Sequence, residues 1–431
     1  MNEGVGVPLT NRKASEAPLY GPCSITPLGL TDKVIINYLI AKAIRKVTMK
    51  SAFKKLNVRK HSTDFGLLFA VTLCAVIGVL LIYSISRNNV LENVDADDWH
   101  TQLVAMLIGI GLALFISLFD YAKLVKLWFI YAPLALGVTG LTFTSLGIQR
   151  EGADDRAWLD LGFIQFQPSE ILKLAFILTF AYHLSKDEEN MNKPLHMLLL
   201  VIHGLVPIGI VGLQGDYGTA IIFAFIFAIM IITARISWKY LLIAPFLVAG
   251  ATAAMWFFML GDFHKQRILV LFNPGSNPDI EYQQDWGLTA LQSGGVFGKG
   301  LFGKTEDYVS VPEIHNDFIF TYAGQVFGFV GAVGLIIILM YICLKIFADS
   351  RIARDRLGCF ICMGAFALML SHCIMNIGMV LKVMPVIGVP LPFLSAGGTA
   401  MVSMYAIIGL VLSVYSHRAR TYNVFYDDNP R

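Results

Sequence analysis

Long, uninterrupted runs of apolar residues dominate the chain from about residue 65 to residue 416. Ten of these runs reach, or nearly reach, the roughly 20 residues that a helix needs to cross the hydrocarbon layer. A membrane barrel would instead alternate apolar and polar residues over about ten positions. The pattern therefore predicts an all-α polytopic membrane protein whose transmembrane helices lie near residues 65–86, 102–121, 125–147, 168–186, 194–213, 217–235, 238–260, 317–347, 357–381 and 393–416.

The composition supports this prediction. Of 431 residues, 56% are hydrophobic and only 15% are charged, and the mean hydropathy is +0.65. An average soluble domain is about 25% charged. These values exclude a disordered chain and make a soluble enzyme a poor description, and six Cys residues are too few for a small disulfide-rich secreted scaffold.

The distribution of charge predicts the orientation in the membrane. If the N-terminus is cytoplasmic, the inside loops are flanked by Lys and Arg, as the positive-inside rule requires. The outside loop 87–101 instead carries four acidic residues against one Arg. An even number of crossings then leaves both termini in the cytoplasm. The flanking cations are Lys123, Lys126, Lys186, Lys193, Arg235, Lys239, Lys345, Arg351, Arg354, Arg356, Arg418 and Arg420.

Two cytoplasmic segments flank the predicted membrane domain, residues 64–417. Residues 1–63 hold eleven Lys and Arg residues against three acidic ones, a net charge of +8. Apolar residues are interleaved between residues 32 and 60, so this stretch is either an amphipathic helix on anionic lipid or a solvated tail. Contact with nucleic acid is not expected. Residues 418–431 form the predicted C-terminal tail.

Two outside connections are longer than a simple turn requires. Residues 148–167 join the third and fourth predicted spans, and residues 261–316 join the seventh and eighth. Long loops are usually functional or disordered, and the second of these contains too many apolar residues for disorder. We therefore predict a large, structured external loop over residues 261–316.

Ionisable residues near membrane depth are costly and are functional candidates by default. Glu170 and Lys173 lie three positions apart at the outer start of the fourth span, on one helix face, where they can pair. The alternative is a helix cap with a purely structural ion pair. Asp216 lies in an outside turn and could merely cap the sixth span.

Two further clusters lie on the predicted outer side. Asp317 follows His315 and precedes an apolar run, which predicts a partly desolvated carboxylate at the outer interface. Residues 385–398 contain three Pro and three Gly residues, together with Ser395. Such a non-helical, re-entrant backbone is tolerated only where it is buried in protein or lines a cavity. Together the clusters predict an outward-facing polar cleft for a substrate with an anionic head and a hydrophobic tail.

Six ordered motifs give the chain a resemblance to the SEDS family (shape, elongation, division and sporulation) of polytopic peptidoglycan glycosyltransferases, which includes RodA, FtsW and SpoVE. The resemblance runs from about residue 65 to residue 417. The motifs are Phe166 to Glu170 with Lys173, Gln214 to Ala220, Gln266 to Leu269 with Asn273 and Pro274, Gln292 to Leu301, Pro312 to Phe320, and Asn376 to Val380 followed by Pro385 to Gly398.

The resemblance implies polymerisation of lipid II, with release of undecaprenyl diphosphate, and marks Asp317 as the essential catalytic residue. A carboxylate there would accept the proton of the attacking hydroxyl, while cations would stabilise the departing diphosphate. Trp158 matches a family Trp that either stacks on sugar or anchors at the interface. The predicted substrate-binding residues are Glu170, Lys173, Trp158, Asp216, Arg267, Lys299, His315 and Ser395.

The family also implies a class B penicillin-binding protein as the partner that supplies transpeptidation. No cofactor is certain, because the sequence shows no metal-ligand spacing, although a divalent cation bridging diphosphate oxygens would suit the chemistry. Two other functions stay open: a non-catalytic scaffold of the cell-wall machinery, and a flippase for a lipid-linked precursor.

The chain departs from the family pattern at several positions. Gln325 and Val326 stand where the family usually has two acids, and Lys382 replaces a small residue. These changes predict a more positive site and a divergent paralogue. If the acids matter here, restoring Glu at positions 325 and 326 should change polymerisation.

Overall fold

The computed structural model describes residues 62–88, 90, 98–149, 155–160, 162, 165–186 and 190–418. Residues 1–61 and 419–431 lie outside this part of the chain. The predicted amphipathic N-terminal segment, its contact with lipid and the cytoplasmic location of both termini therefore stay predictions.

Helices make up most of the described chain. Short 3-10 turns occur at Leu141–Phe143 and Thr305–Asp307. In chain order the helices are α1 (Phe65–Arg87), α2 (Asp98–Leu118), α3 (Tyr121–Val125), α4 (Trp128–Gly140), α5 (Pro168–Lys186), α6 (Pro194–Leu213), α7 (Tyr217–Thr233), α8 (Trp238–Phe258), α9 (Asp262–Phe272), α10 (Pro278–Ser293), α11 (Ile319–Arg351), α12 (Arg356–Val380) and α13 (Gly398–Ser416).

Each of the ten predicted apolar runs coincides with one of these helices. Within the described residues, seven are long and apolar enough to cross a membrane, namely α1, α2, α6, α8, α11, α12 and α13. Two more, α7 and α4 with its following turn, are apolar but shorter. The remaining one, α5, carries two charged residues in its first two turns. The predicted helical, multi-pass architecture is confirmed, while the count of ten crossings stays a prediction.

The centre of the bundle is formed by α12 and α13, most of whose residues are buried. Small residues allow α2 and α13 to approach closely, as is common between membrane helices. A Cβ on Gly109 would lie 2.5 Å from the Tyr405 ring, and one on Gly409 would lie 2.9 Å from Ala113 Cα. In contrast, α8 has no fully buried residue and packs at the edge of the bundle, where Tyr240 donates its hydroxyl to Asn192 O (3.1 Å).

A small antiparallel sheet lies in the connection between α4 and α5. Its strands are β1 (Gly147–Ile148), β2 (Trp158–Asp160) and β3 (Gln165–Phe166), in that spatial order. Arg156 fixes the sheet by donating its backbone N–H to Gln214 O (2.9 Å) and its Nε–H to Gly147 O (3.0 Å). The sheet is therefore tied to the end of α6.

The segment 261–316, which is predicted to be external, contains α9 and α10 and is structured. The buried amide of Gln284, on α10, donates to Met379 O (2.9 Å) and Met384 O (2.8 Å) at the end of α12. The Lys382 ammonium forms ion pairs with Asp285 and with Glu281 Oε2, the latter at 3.6 Å. Lys382 therefore adds no unbalanced positive charge, contrary to the sequence-based expectation, because two acids of α10 oppose it.

The long helix α11 is interrupted at Gly328, where φ is 68° and ψ is −167°. Neighbouring peptide groups of α11 pair with the outer loop instead of only with their own helix. These bonds keep the backbone on either side of the interruption hydrogen-bonded, which an apolar environment requires. The four bonds run from Phe329 N to Gly295 O (2.8 Å), from Val330 N to Val296 O (3.1 Å), from Lys299 N to Gln325 O (2.8 Å) and from Gly300 N to Val326 O (3.0 Å).

Replacing Gly328 with Ala should destabilise the protein. The positive φ alone costs a residue with a side chain about 1–3 kcal/mol, and the added Cβ would lie 2.3 Å from Gly298 N. Gly334→Ala is the matched control, since nothing lies within 4 Å of a Cβ at that position of the same helix. We expect a lower thermal unfolding midpoint in detergent for Gly328→Ala only, and equal midpoints for both variants would contradict this account.

Candidate active site

The chain between α12 and α13 is non-helical over residues 385–397, which we call the connector. Its backbone has positive φ at Gly388 (68°) and at Phe393 (64°). Gly78, well inside α1, lacks a side chain where the connector passes, and a Cβ there would lie 2.6 Å from Phe393 O. The connector therefore enters the bundle and is buried against other helices.

Asp317 lies immediately before α11 and is half-buried. Its backbone carbonyl accepts a hydrogen bond from Asn376 Nδ2 (2.7 Å), and the same amide donates to Val389 O (2.8 Å). A Cβ on Gly388 would lie 3.5 Å from Asp317 Oδ2. The carboxylate thus faces the connector at a residue without a side chain, and one amide of α12 fixes both chain segments.

Two neighbouring bonds hold the segment before Asp317 on the connector. Ala396 donates its backbone N–H to His315 O (2.8 Å), and the Ser395 hydroxyl donates to Asn316 O (2.6 Å). The predicted site residues His315 and Ser395 therefore meet, although these bonds use the backbone carbonyl of His315.

Arg267 brings a permanent positive charge to the same segment from α9. Its Nη1 donates to Val386 O (3.4 Å), two residues from Gly388, and its guanidinium lies 4.3 Å above the Phe263 ring. Arg267 is half-buried. A guanidinium in this position can bind diphosphate or carboxylate oxygens.

Asp216 caps α7, as the capping alternative predicts. Its Oδ1 accepts from Thr219 N (2.9 Å), and its Oδ2 accepts from Gln167 Nε2 (2.7 Å). Burial raises the pKa of the Asp216 carboxyl above its ordinary value, although the Thr219 N–H opposes that change. The start of α7 also packs on the connector, since a Cβ on Gly218 would lie 2.6 Å from Ile387 O.

Glu170 and Lys173 form a buried ion pair with 2.8 Å between Oε1 and Nζ, and Lys173 is only 1% exposed. Glu170 Oε2 also accepts from the Ser403 hydroxyl (2.6 Å). Lys173 Nζ lies 3.4 Å from His372 Nε2, and His372 Nδ1 lies 2.9 Å from Pro390 O. These partners assign the proton to Nδ1, so that Nε2 accepts from the ammonium. The network joins α5, α12 and α13 to the connector.

Lys299 and Trp158 make their described contacts away from the connector. Lys299 Nζ donates to Ser293 Oγ (2.7 Å) and to the carbonyl of Asp307, within the outer loop. Trp158 lies on β2, opposite Ile148. The contacts described above bring Asp317, His315, Arg267 and Lys173 to the connector that carries Ser395, whereas the roles of Lys299 and Trp158 stay predictions.

Sequence reasoning missed several polar residues that hold the connector. His372 and Asn376 lie four positions apart, on one face of α12, and bind the consecutive carbonyls of Pro390 and Val389. Gln102 of α2 donates to Ser395 O (2.8 Å). His372 and Asn376 could have been found from their spacing of four residues inside an otherwise apolar run. Polar residues in a membrane helix usually face the interior of the bundle.

Gln325, at a position where the family usually has an acid, is buried and forms two bonds with one residue of the outer loop. Its Oε1 accepts from Val309 N (2.8 Å), and its Nε2 donates to Val309 O (3.0 Å). The amide supplies the donor and the acceptor from two separate atoms at any pH, whereas an ionised carboxylate can only accept. A Glu carboxylate here would face the Val309 carbonyl without a proton to donate.

We therefore expect Gln325→Glu to destabilise the protein by about 1–3 kcal/mol, the usual cost of an unsatisfied buried polar group. The exposed Gln292, on α10, offers the control Gln292→Glu, which makes the same chemical change without burial. Thermal unfolding of the two variants in detergent would measure the difference. Unchanged stability of Gln325→Glu would show that this pairing contributes little.

No group of three or more His, Cys, Asp or Glu side chains within the described residues is arranged to hold a metal ion. The participation of a divalent cation stays a prediction.

The helices and the connector site define a multi-pass membrane protein with a carboxylate and cations gathered at one end of its bundle. The model of the cell cycle protein family of FtsW, RodA and SpoVE matches residues 65–420. The match covers most of the chain, so the protein belongs to this family, and the predicted family is confirmed.

Among relatives, the chain is similar to peptidoglycan glycosyltransferase MrdB of Escherichia coli K12, with 32% identity over 297 residues that cover 68% of this chain and 77% of MrdB. It is also similar to stage V sporulation protein E of Bacillus subtilis, with 29% identity over 382 residues, or 83% and 98% of the two chains.

Two solved structures share the fold. A chain from a peptidoglycan synthase complex that coordinates polymerization and crosslinking matches with a TM-score of 0.70 and 25% identity, over 82% of this chain and 98% of that chain. RodA, the rod shape determining protein of Thermus thermophilus, matches with a TM-score of 0.62 and 24% identity, over 84% and 99%.

Proposed function

We propose that this protein is a peptidoglycan glycosyltransferase that polymerises lipid II into glycan strands at the outer face of the bacterial cytoplasmic membrane. The observation that carries the proposal is the placement of Asp317, a half-buried carboxylate whose backbone is fixed by Asn376 beside Gly388. Membership of a family whose relatives include glycosyltransferases supplies the reaction class.

The reaction requires a base at the acceptor sugar. In the proposed mechanism Asp317 takes the proton from the GlcNAc 4-hydroxyl as its oxygen attacks the anomeric carbon of the donor. The bond between that carbon and the undecaprenyl diphosphate oxygen breaks, and the electron pair leaves with the diphosphate. The half-buried position of Asp317 suits this task, because its backbone is held by Asn376 while its carboxylate is partly accessible.

Negative charge that develops on the leaving diphosphate needs a preorganised positive partner. Arg267 is the best placed candidate, since its guanidinium contacts the connector at Val386. Lys173 is buried and bonded to Glu170 and His372, so it supports the connector rather than meeting the diphosphate directly. Lys299 would act from the outer loop.

The partner that we propose is a class B penicillin-binding protein, which would crosslink the strands made here. A structurally similar chain belongs to a complex that coordinates polymerization and crosslinking. The proposal also places both termini in the cytoplasm. With this orientation, the connector and Asp317 lie on the outer side of the membrane, where the reaction is proposed to occur. Lipid II and its glycan product would be held with their polyprenyl chains in the bilayer.

Purified protein with fluorescent lipid II tests the function, with and without the penicillin-binding partner. We expect glycan polymer from the wild type, resolved by length on a gel, and none from Asp317→Ala. Polymer from neither protein would overturn the proposal and favour a scaffold or a flippase. Polymer from both would leave the function standing and remove Asp317 from its catalytic role.

A further inference from the structure

We infer that the outer loop inserts an apolar tip, formed by Val296 and Phe297, into the outer leaflet, where it contacts the acyl chains of bilayer lipids. This surface lies outside the connector site, and the inference rests on the proposed orientation of the chain but not on the proposed enzymatic activity. It rests on the depth of the tip, on the exposure of its side chains and on the pairing of its backbone.

A scale for depth comes from two antiparallel helices, α1 and α11. At one end, Lys345 Nζ lies 2.7 Å from Asp64 Oδ2, and at the other, Ser84 Oγ lies 2.7 Å from the Tyr322 hydroxyl. Twenty residues of helix separate Asp64 from Ser84, which corresponds to about 30 Å. This length matches the hydrocarbon thickness of a bilayer, so Ser84 and Tyr322 mark its outer boundary.

The tip lies below that boundary. The carbonyls of Gly295 and Val296 accept hydrogen bonds from Phe329 N (2.8 Å) and Val330 N (3.1 Å). These two residues are seven and eight positions further along α11 than Tyr322, or about 10 Å towards the cytoplasm. The loop thus reaches into the outer third of the hydrocarbon layer.

The loop then returns to the boundary within a few residues. The carbonyl of Leu301 accepts hydrogen bonds from the Ser84 hydroxyl and from Asn88 Nδ2, the latter at 3.0 Å. Thr305 Oγ1 donates to Asn88 O (2.7 Å), at the outer end of α1. The chain therefore enters and leaves the layer on the same side, as a short hairpin.

The side chains of the tip face outward. Phe297 is 82% exposed and Val296 is 57% exposed, and the neighbouring Phe329 and Val330 of α11 are also exposed by more than half. Together they form one apolar surface at a depth where water is excluded. Exposure of such a surface to water would cost about 25 cal/mol for each Å², whereas acyl chains remove that cost.

The backbone around the tip is suited to this environment because α11 pairs with four of its peptide groups, namely Gly295 O, Val296 O, Lys299 N and Gly300 N. Gly298 is required for the close approach, since a Cβ there would lie 2.1 Å from Val326 O. Acyl chains adapt to the irregular surface of a hairpin, whereas a second helix packs on regular ridges and grooves. Depth, exposure and shape therefore all favour lipid as the occupant.

Photo-crosslinking in vesicles tests the inference. The residue p-benzoylphenylalanine replaces Phe297, and the full chain is reconstituted in phosphatidylcholine carrying a radiolabelled acyl chain. Phe329, which is exposed on α11, is the membrane reference, and the exposed Glu306, next to the contact with Asn88, is the water-side reference.

We expect irradiation to transfer label at position 297 to within about twofold of position 329, and at least fivefold above position 306. Label at position 297 equal to that at position 306 would overturn the inference. Crosslinking of position 297 to a partner protein, in place of crosslinking to lipid, would also overturn the inference. All three variants carry the same probe. Their thermal unfolding midpoints, which should agree with that of the wild type, check that each variant is folded.

Discussion

Asp317→Asn should lower the rate of glycan polymerisation by about 10²–10⁴-fold, the usual contribution of a positioned general base. Asparagine keeps the size of the side chain and can still face Gly388. Its neutral amide, however, is too weak a base to accept the proton of the attacking hydroxyl. The rate of lipid II consumption under single-turnover conditions would measure the loss, because that rate excludes product release.

The control for charge is Glu306→Gln, which neutralises an exposed carboxylate in the outer loop that precedes Asp317. We expect it to polymerise at the wild-type rate. Both variants should keep the bond from Asn376, which uses the backbone carbonyl of residue 317, and their thermal unfolding midpoints are measured beside the rates. A rate for Asp317→Asn within threefold of wild type would show that another group acts as the base.

Lys173→Met should destabilise the protein by about 3–5 kcal/mol, because it leaves the Glu170 carboxylate buried without its cation. The effect should be large since Lys173 is almost fully buried and Ser403 supplies the other described bond of Glu170. Chemical unfolding in detergent, followed by a spectroscopic signal of tertiary structure, would measure it.

The double variant Glu170→Gln with Lys173→Met should recover much of this stability, because it removes both charges. Lys186→Met is the single control on the same helix, since Lys186 is exposed, although its ammonium lies 4.9 Å from the Tyr182 ring centroid. Loss of an exposed cation–π contact costs about 0.5–1 kcal/mol, well below the effect expected at Lys173. If Lys173→Met were no worse than Lys186→Met, the ion pair would not stabilise the connector.

Local rules predicted much of the molecule. Continuous apolar runs sufficed to locate the helices, because a bilayer admits few other structures. The pairing of Glu170 with Lys173 follows from their spacing on a helix, and the cap at Asp216 follows from its position before α7. Each of these features depends on residues that are close together in sequence.

Contacts between distant residues were beyond such rules. The interruption at Gly328 depends on partners in the outer loop, and the ion pair of Lys382 joins it to Asp285 on α10. From the sequence, His372 is interpreted as a packing residue. The fold places its Nε2 beside the Lys173 ammonium. Nothing in the local sequence indicates these partners, because they arise from tertiary packing alone.

The side chain of Asn376 has a consequence for how the family can diversify. One amide binds the backbone carbonyl of Asp317 and also the carbonyl of Val389 in the connector. The anchor belongs to α12, in the centre of the bundle. Surface mutations in the outer loop that leave this amide in place can therefore accumulate without moving residue 317 relative to the connector.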